Sequence, residues 1–170
     1  TPQESTPIDL RAGPAVTIRT DPLEEGARYS LGHTLSEWAE RPHDGIRIQS
    51  VEVLHARGIE LIGRGAYDAA SVEMQLGFIE GWPPVGWDIQ AFDSEIYEIE
   101  WPGVVVLVLG IEVRGEKAGL RGLRMVWRDA TGDEHVSVLD LAVVTCSATA
   151  CDPDTTTSDE LLLDLGLRLP

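Results

Sequence analysis

The chain of 170 residues has no apolar run long enough to span a membrane. Its longest, Val104-Val105-Val106-Leu107-Val108-Leu109, is six residues, the size of a buried strand. The opening residues do not read as a signal peptide either. The chain opens on Thr1-Pro2-Gln3-Glu4-Ser5-Thr6-Pro7, polar and proline-bearing, which reads as a mature start from which a leader or anchor has been trimmed. Positive charge is scarce: 13 Lys and Arg against 29 Asp and Glu leave a formal charge of −16, and Lys117 is the one lysine. A field of that sign repels nucleic acid and anionic lipid, so neither is an expected partner. The bias from lysine to arginine, with abundant Ala, Gly, Val and Leu, points to a GC-rich bacterial genome.

Catalytic signatures are equally thin. No Gly-x-Ser-x-Gly elbow occurs, and Gly63-Arg64-Gly65 lacks the third glycine and following helix of a dinucleotide site. No internal repeat and no long amphipathic helix emerges. These absences favour a protein without an enzymatic role.

What is present is a hydrophobic fraction of 43%, too high for a disordered chain, in a length suited to one domain with its own core. The two cysteines, Cys146 and Cys151, close the strongest hydrophobic stretch, with four residues between them. So close a pair after a strand reads as a structural disulfide, and hence as an oxidising, extracytoplasmic compartment. Redox-active pairs sit two residues apart at a helix start, and a metal site would need further ligands nearby. Closing a ring of this size contributes about 2 kcal/mol, so the clip tidies a loop without holding up the fold.

Residues 1–14 read as a flexible tail ending at Gly13-Pro14, and 15–170 as a single domain. Strands are expected at Val16–Arg19, at Tyr29–Leu35 with Tyr29, Leu31, His33 and Leu35 on one face, and from Ile46 onward. There the alternation of Ile46 and Ile48 slips to Val51 and Val53, which predicts a β-bulge near Gln49-Ser50. Arg57-Gly58 turns into a strand at Ile59–Ile62, and Gly63 to Ser71 reads as loop. Val72–Phe78 and Asp88–Phe92 are further short strand candidates. Val104–Val113 is expected as a central strand covered on both faces. Leu123, Met125 and Trp127 alternate with Arg124, Val126 and Arg128. Asp129-Ala130-Thr131-Gly132-Asp133 then forms a hairpin turn into a strand from His135 to Thr145. At the C-terminus two patterns compete. Thr157-Ser158-Asp159-Glu160 is a capping box for a short helix, whereas Leu161, Leu163, Leu165, Leu167 and Leu169 keep period two, and the latter tips the reading towards a strand.

Seven to nine short strands with at most one short helix predict an all-β, two-layer antiparallel β-sandwich. The layout, Trp127 to Cys146 in particular, is similar to the immunoglobulin-like or fibronectin-like sandwiches of exported bacterial proteins. The intersheet disulfide of true immunoglobulin domains has no counterpart, because both cysteines lie in one stretch.

Candidate sites are few. His33, His43, His55 and His135 show no ligand spacing, and His33 lies in phase with an apolar face, as a packed core histidine would. Cys146 is followed by neither His nor Met, which argues against a cupredoxin-type copper site. Asp152, Asp154, Asp159 and Glu160 crowd oxygens as a calcium loop does. Thr157 and Leu163, however, stand where an EF-hand needs Gly and a bidentate Glu. Asp93, Glu95, Glu98 and Glu100 near Trp82, Trp87 and Trp101 could make a carbohydrate-active site. The segment Gly81-Trp82-Pro83-Pro84-Val85-Gly86-Trp87 cannot join a helix or sheet. Its tryptophans either cap one end of the core or form a rigid aromatic surface. The preferred reading is a non-enzymatic extracytoplasmic domain, secreted or anchored, that touches a protein or cell-envelope component through Trp82, Pro83, Pro84 and Trp87. A calcium- or small-ligand-binding protein and a small carbohydrate-active enzyme are the alternatives.

Overall fold

The computed structural model describes residues 7–20, 23–34, 47–68, 77–87, 89–91, 105–129 and 131–170. Within them the chain forms β1 (Val16–Arg19), β2 (Arg28–Thr34), β3 (Arg47–Arg57), β4 (Ile59–Asp68), β5 (Phe78–Glu80), β6 (Gln90–Ala91), β7 (Val105–Val113), β8 (Lys117–Arg128), β9 (Glu134–Cys146) and α1 (Ser158–Asp164). The strands make a sandwich of two sheets, ordered β1-β9-β8-β3 and β5-β2-β7-β4-β6. Among the described residues all pairings are antiparallel except β1 with β9.

The triplets β2-β7-β4 and β3-β8-β9 have the order of the two sheets of an immunoglobulin-like sandwich. Two further strands extend these triplets. β1 extends the second triplet in parallel, and β5, drawn from between β4 and β7, takes the edge beside β2. The core lies between the sheets, with Leu31, Leu107, Leu109 and Ile111 packed against Val51, Leu120, Leu123, Met125, Leu141 and Val143. β7 is buried on both faces as its composition predicts: Leu107 and Leu109 join this core, while Val106 and Val108 lie under a second cluster on the outer face.

Local sequence signals set the details. The β3–β8 register shifts between Ile48 and Ser50, where the alternation slips. In the β8–β9 hairpin, Gly132 adopts φ +91°. The Asp129 carboxylate organises that turn, accepting from the Thr131 and Asp133 amides at 2.9 and 3.1 Å and from the Thr131 hydroxyl at 2.6 Å. His135 reaches the other Asp129 oxygen at 2.8 Å and stacks on Trp127, with ring centroids 4.3 Å apart.

Two segments differ from expectation. Gly63 onward is strand, since β4 continues to Asp68. Gly63, which suggests a loop here, instead forms part of the floor under an aromatic ring, described below. The leucine-rich segment expected as a strand opens as a helix, with Leu161 and Leu163 inside α1, Leu165 at its C-cap, and Leu167 and Leu169 beyond it. Thr157 Oγ1 accepts from the Glu160 amide at 3.2 Å and the Glu160 carboxylate accepts from the Thr157 amide at 2.8 Å, so the capping box decides the local conformation. The buried pair is Leu161 and Leu162, with Leu165 one turn on and Leu163 exposed, which is a helical stripe.

α1 packs on the outer face of β9, against Ala142, Val144 and Cys146. On the same face Arg121 is wholly buried, pairing with Asp140 and donating to the Leu167 carbonyl at 3.0 Å and the Asp9 carbonyl at 3.3 Å. Of the segment expected as a tail, residues 1–6 lie outside the described residues, while Asp9 and Leu10 run along this face. The Leu10 carbonyl accepts from the Leu169 amide at 2.7 Å.

Candidate functional site

The Trp82–Trp87 loop lies across the outer face of the β5-β2-β7-β4-β6 sheet. Gly81 ties its start to β2 twice: its amide donates to the Arg28 carbonyl at 2.7 Å, and its carbonyl accepts from the Ser30 hydroxyl at 2.6 Å. Ser30 is wholly buried, so this anchor is shielded from water. Gly81 and Gly86 adopt φ of +99° and +84°, turning the chain out of the sheet and back.

The Trp82 indole rests on two glycines. Gly63 and Gly110 are cross-strand partners in β4 and β7, and a methyl group added at either would overlap the ring. Trp87 leans on buried Tyr67, with centroids 5.3 Å apart at 49°. Ile79, Ile89, Val106 and Val108 complete the cluster. Both indoles are half-buried on the flank of a sheet, separate from the core between the sheets that an end-capping role would require. Between them Pro84 is buried, Pro83 is exposed and Val85 stands 94% exposed at the tip. The result is a stiff apolar knob whose position is fixed by backbone hydrogen bonds and ring packing.

Residues that the sequence reading did not single out supply the support: Ser30, Gly63, Tyr67 and Gly110. The signal for two of them was present, because a glycine inside a strand marks a close approach by another group. Ser30 gave no signal.

The acidic stretch is occupied by local bonds. Asp152 Oδ1 accepts from the Asp154 amide at 2.9 Å, Asp159 pairs with Arg168 at 2.9 Å, and Glu160 serves the capping box. No group of three or more His, Cys, Asp or Glu side chains that could hold a metal ion occurs among the described residues. Cys146 and Cys151 form the disulfide, with Cα atoms 5.9 Å apart, beside the cluster under α1. No helix among the described residues is long and apolar enough to cross a membrane. His33 is half-buried on β2, and burial holds its pKa below the ordinary value. Asp93, Glu95, Glu98, Glu100, Trp101 and His43 lie outside the described residues.

No family model matches the chain, and neither a curated protein nor a solved structure does.

Proposed function

We propose that this chain is a non-enzymatic, extracytoplasmic domain of a bacterial protein, secreted or anchored, which works by contact with a protein or cell-envelope component. The observation that carries this reading is the knob itself: an apolar side chain 94% exposed at the tip of a loop that is otherwise pinned down. A loop fastened this tightly loses little entropy on binding, and tryptophan and proline flanks supply contact area at small ordering cost. The Cys146–Cys151 bond supports an oxidising compartment. The acidic surface favours a neutral or basic partner.

The test is photo-crosslinking in the cells that make the protein, with benzoylphenylalanine at Val85 and, as control, at Glu52 on the other sheet. One discrete adduct from position 85 and none from 52 is the expected result. Equal labelling from both sites would remove the knob as a contact surface. Acid-quenched thiol labelling of the same cells checks the compartment, since Cys146 and Cys151 recovered as free thiols would exclude an oxidising one.

A further inference from the structure

The Trp82 indole lies face-down on its sheet. A methyl group built on Gly110 would meet the ring-fusion carbon Cδ2 first, then Cε2 and Cε3 at 2.7 Å each, and one built on Gly63 would meet Cε2, Cζ2 and Nε1. A ring-fusion carbon is enclosed by ring atoms in its own plane, so Gly110 sits beneath the indole face and not at its edge. The ring is half-buried, and with one face on backbone its accessible surface belongs to the opposite face and the rim. The next row of the sheet is charged. Glu112 stands one strand repeat from Gly110 along β7, on the same face and about 7 Å away, with Arg28 of β2 and Glu60 of β4 as its cross-strand partners. Arg28 Nε donates to Glu112 at 2.9 Å, Arg114 Nε donates to it at 3.1 Å, and Arg114 also reaches Glu60. These two bases and two acids cancel, in a chain of net charge −16. Arg28, Arg114 and Glu60 are each more than half exposed, so the pairs add little stability and their donors and acceptors stay available to a ligand.

We infer that this face binds a neutral β-linked glycan: a hexopyranose with all-equatorial substituents stacks on the free face of Trp82, and its rim hydroxyls share the Arg28, Glu112 and Arg114 groups. The inference rests on the contact reading above and gives the chemistry of the partner. An indole face is electron-rich and attracts the polarised C–H bonds of a sugar ring, and a ring without axial hydroxyls presents a flat C–H face to it. A pair of neighbouring hydroxyls donates to a carboxylate and accepts from a guanidinium, which is what a row of paired Glu and Arg supplies. An apolar peptide anchor seated on the ring would instead strip water from charged groups one repeat away without replacing it. The locally cancelled charges give no pull on an ionised chain. The net charge of the molecule, with exposed Glu80 beside the loop, repels uronic acids and phosphates.

The experiment titrates the whole chain with cellohexaose, chitohexaose and hexagalacturonate, read by calorimetry and by the indole resonances of a nitrogen–proton correlation spectrum. The two neutral oligosaccharides share the flat equatorial backbone, and their arms separate a glucan from an N-acetylglucosamine polymer. Saturable binding of one or both is expected, about tenfold tighter than that of hexagalacturonate. The Trp82 indole resonance should shift, while that of Trp127, on the other sheet, stays in place. Trp82→Ala should abolish binding. Because that variant also loosens the loop, Arg114→Ala at its exposed position is the second, and should weaken binding about fivefold, the worth of one net hydrogen bond. Circular dichroism melts establish that both variants are folded. No binding of either neutral oligosaccharide, equal affinity for hexagalacturonate, an unmoved Trp82 resonance, or wild-type affinity in either variant would each overturn the inference. A protein adduct from position 85 without oligosaccharide binding would leave the contact reading standing and overturn this inference alone.

Discussion

Arg121, wholly buried, holds both oxygens of Asp140, at 2.9 and 3.1 Å. Asp140 is 31% exposed, so the two partners are not equivalent. Removing the acid strands a guanidinium that cannot reach water, whereas removing the base leaves a carboxylate that can hydrate. Asp140→Ala should therefore cost about 3–5 kcal/mol, and Arg121→Met less, because methionine fills the vacated volume. Urea denaturation at constant m-value measures both. A larger loss for Arg121→Met would shift the weight to the Asp9 and Leu167 carbonyls that Arg121 also serves.

The glycine floor under Trp82 predicts a coupled pair. Gly110→Ala places a methyl group where the indole lies and should cost about 1–3 kcal/mol as overpacking. In a Trp82→Ala background most of that penalty should vanish. A double-mutant cycle reads the coupling, and additive single losses would mean that the ring does not rest on Gly110.

Acid should weaken the fold in two windows. His33 has its pKa lowered by burial, so the unfolded chain binds its proton more readily, and stability falls as pH drops below about 6.5. Asp129 is held below the ordinary carboxylate range, first by the Thr131 hydroxyl and then by His135. Its contribution is complete above about pH 4 and is lost as pH falls through the lower folded value. Denaturation midpoints against pH should show both slopes. His33→Gln should flatten the upper one and Asp129→Asn the lower one.

Replacing both cysteines by alanine should cost about 2 kcal/mol, the entropy of so small a ring. The loss should be local. Hydrogen exchange should quicken in α1 and the turn before it, which pack beside Cys146, while β7 and β8 keep their protection. Uniform acceleration across the sandwich would show that the clip supports the whole fold.

Thr157→Ala should destabilise by about 1 kcal/mol, since it removes the N-cap half of a reciprocal pair. Loss of helical dichroism with little change in the melting of the sheets is the expected signature.

Much of the fold was legible because its determinants are local. The hairpin at Gly132, the slip at Gln49-Ser50 and the doubly buried β7 follow from side-chain periodicity and turn chemistry over a few residues. The leucines misled because spacing alone cannot separate a strand from a short helix, and the neighbouring cap was the stronger signal. Arg121 was illegible for a different reason. Its partners come from positions 9, 140 and 167, and no short window joins them. The knob was half legible: Trp82-Pro83-Pro84-Val85 identifies a rigid segment, but its seat on Gly63 and Gly110 exists only once β4 and β7 pair.

The bond from the Leu169 amide to the Leu10 carbonyl brings these two residues to one spot over β8 and β9. Trp82 and Val85 belong to the far layer. A bulky label fixed at Leu10 or Leu169 therefore leaves from the back of the molecule and holds the aromatic front outward.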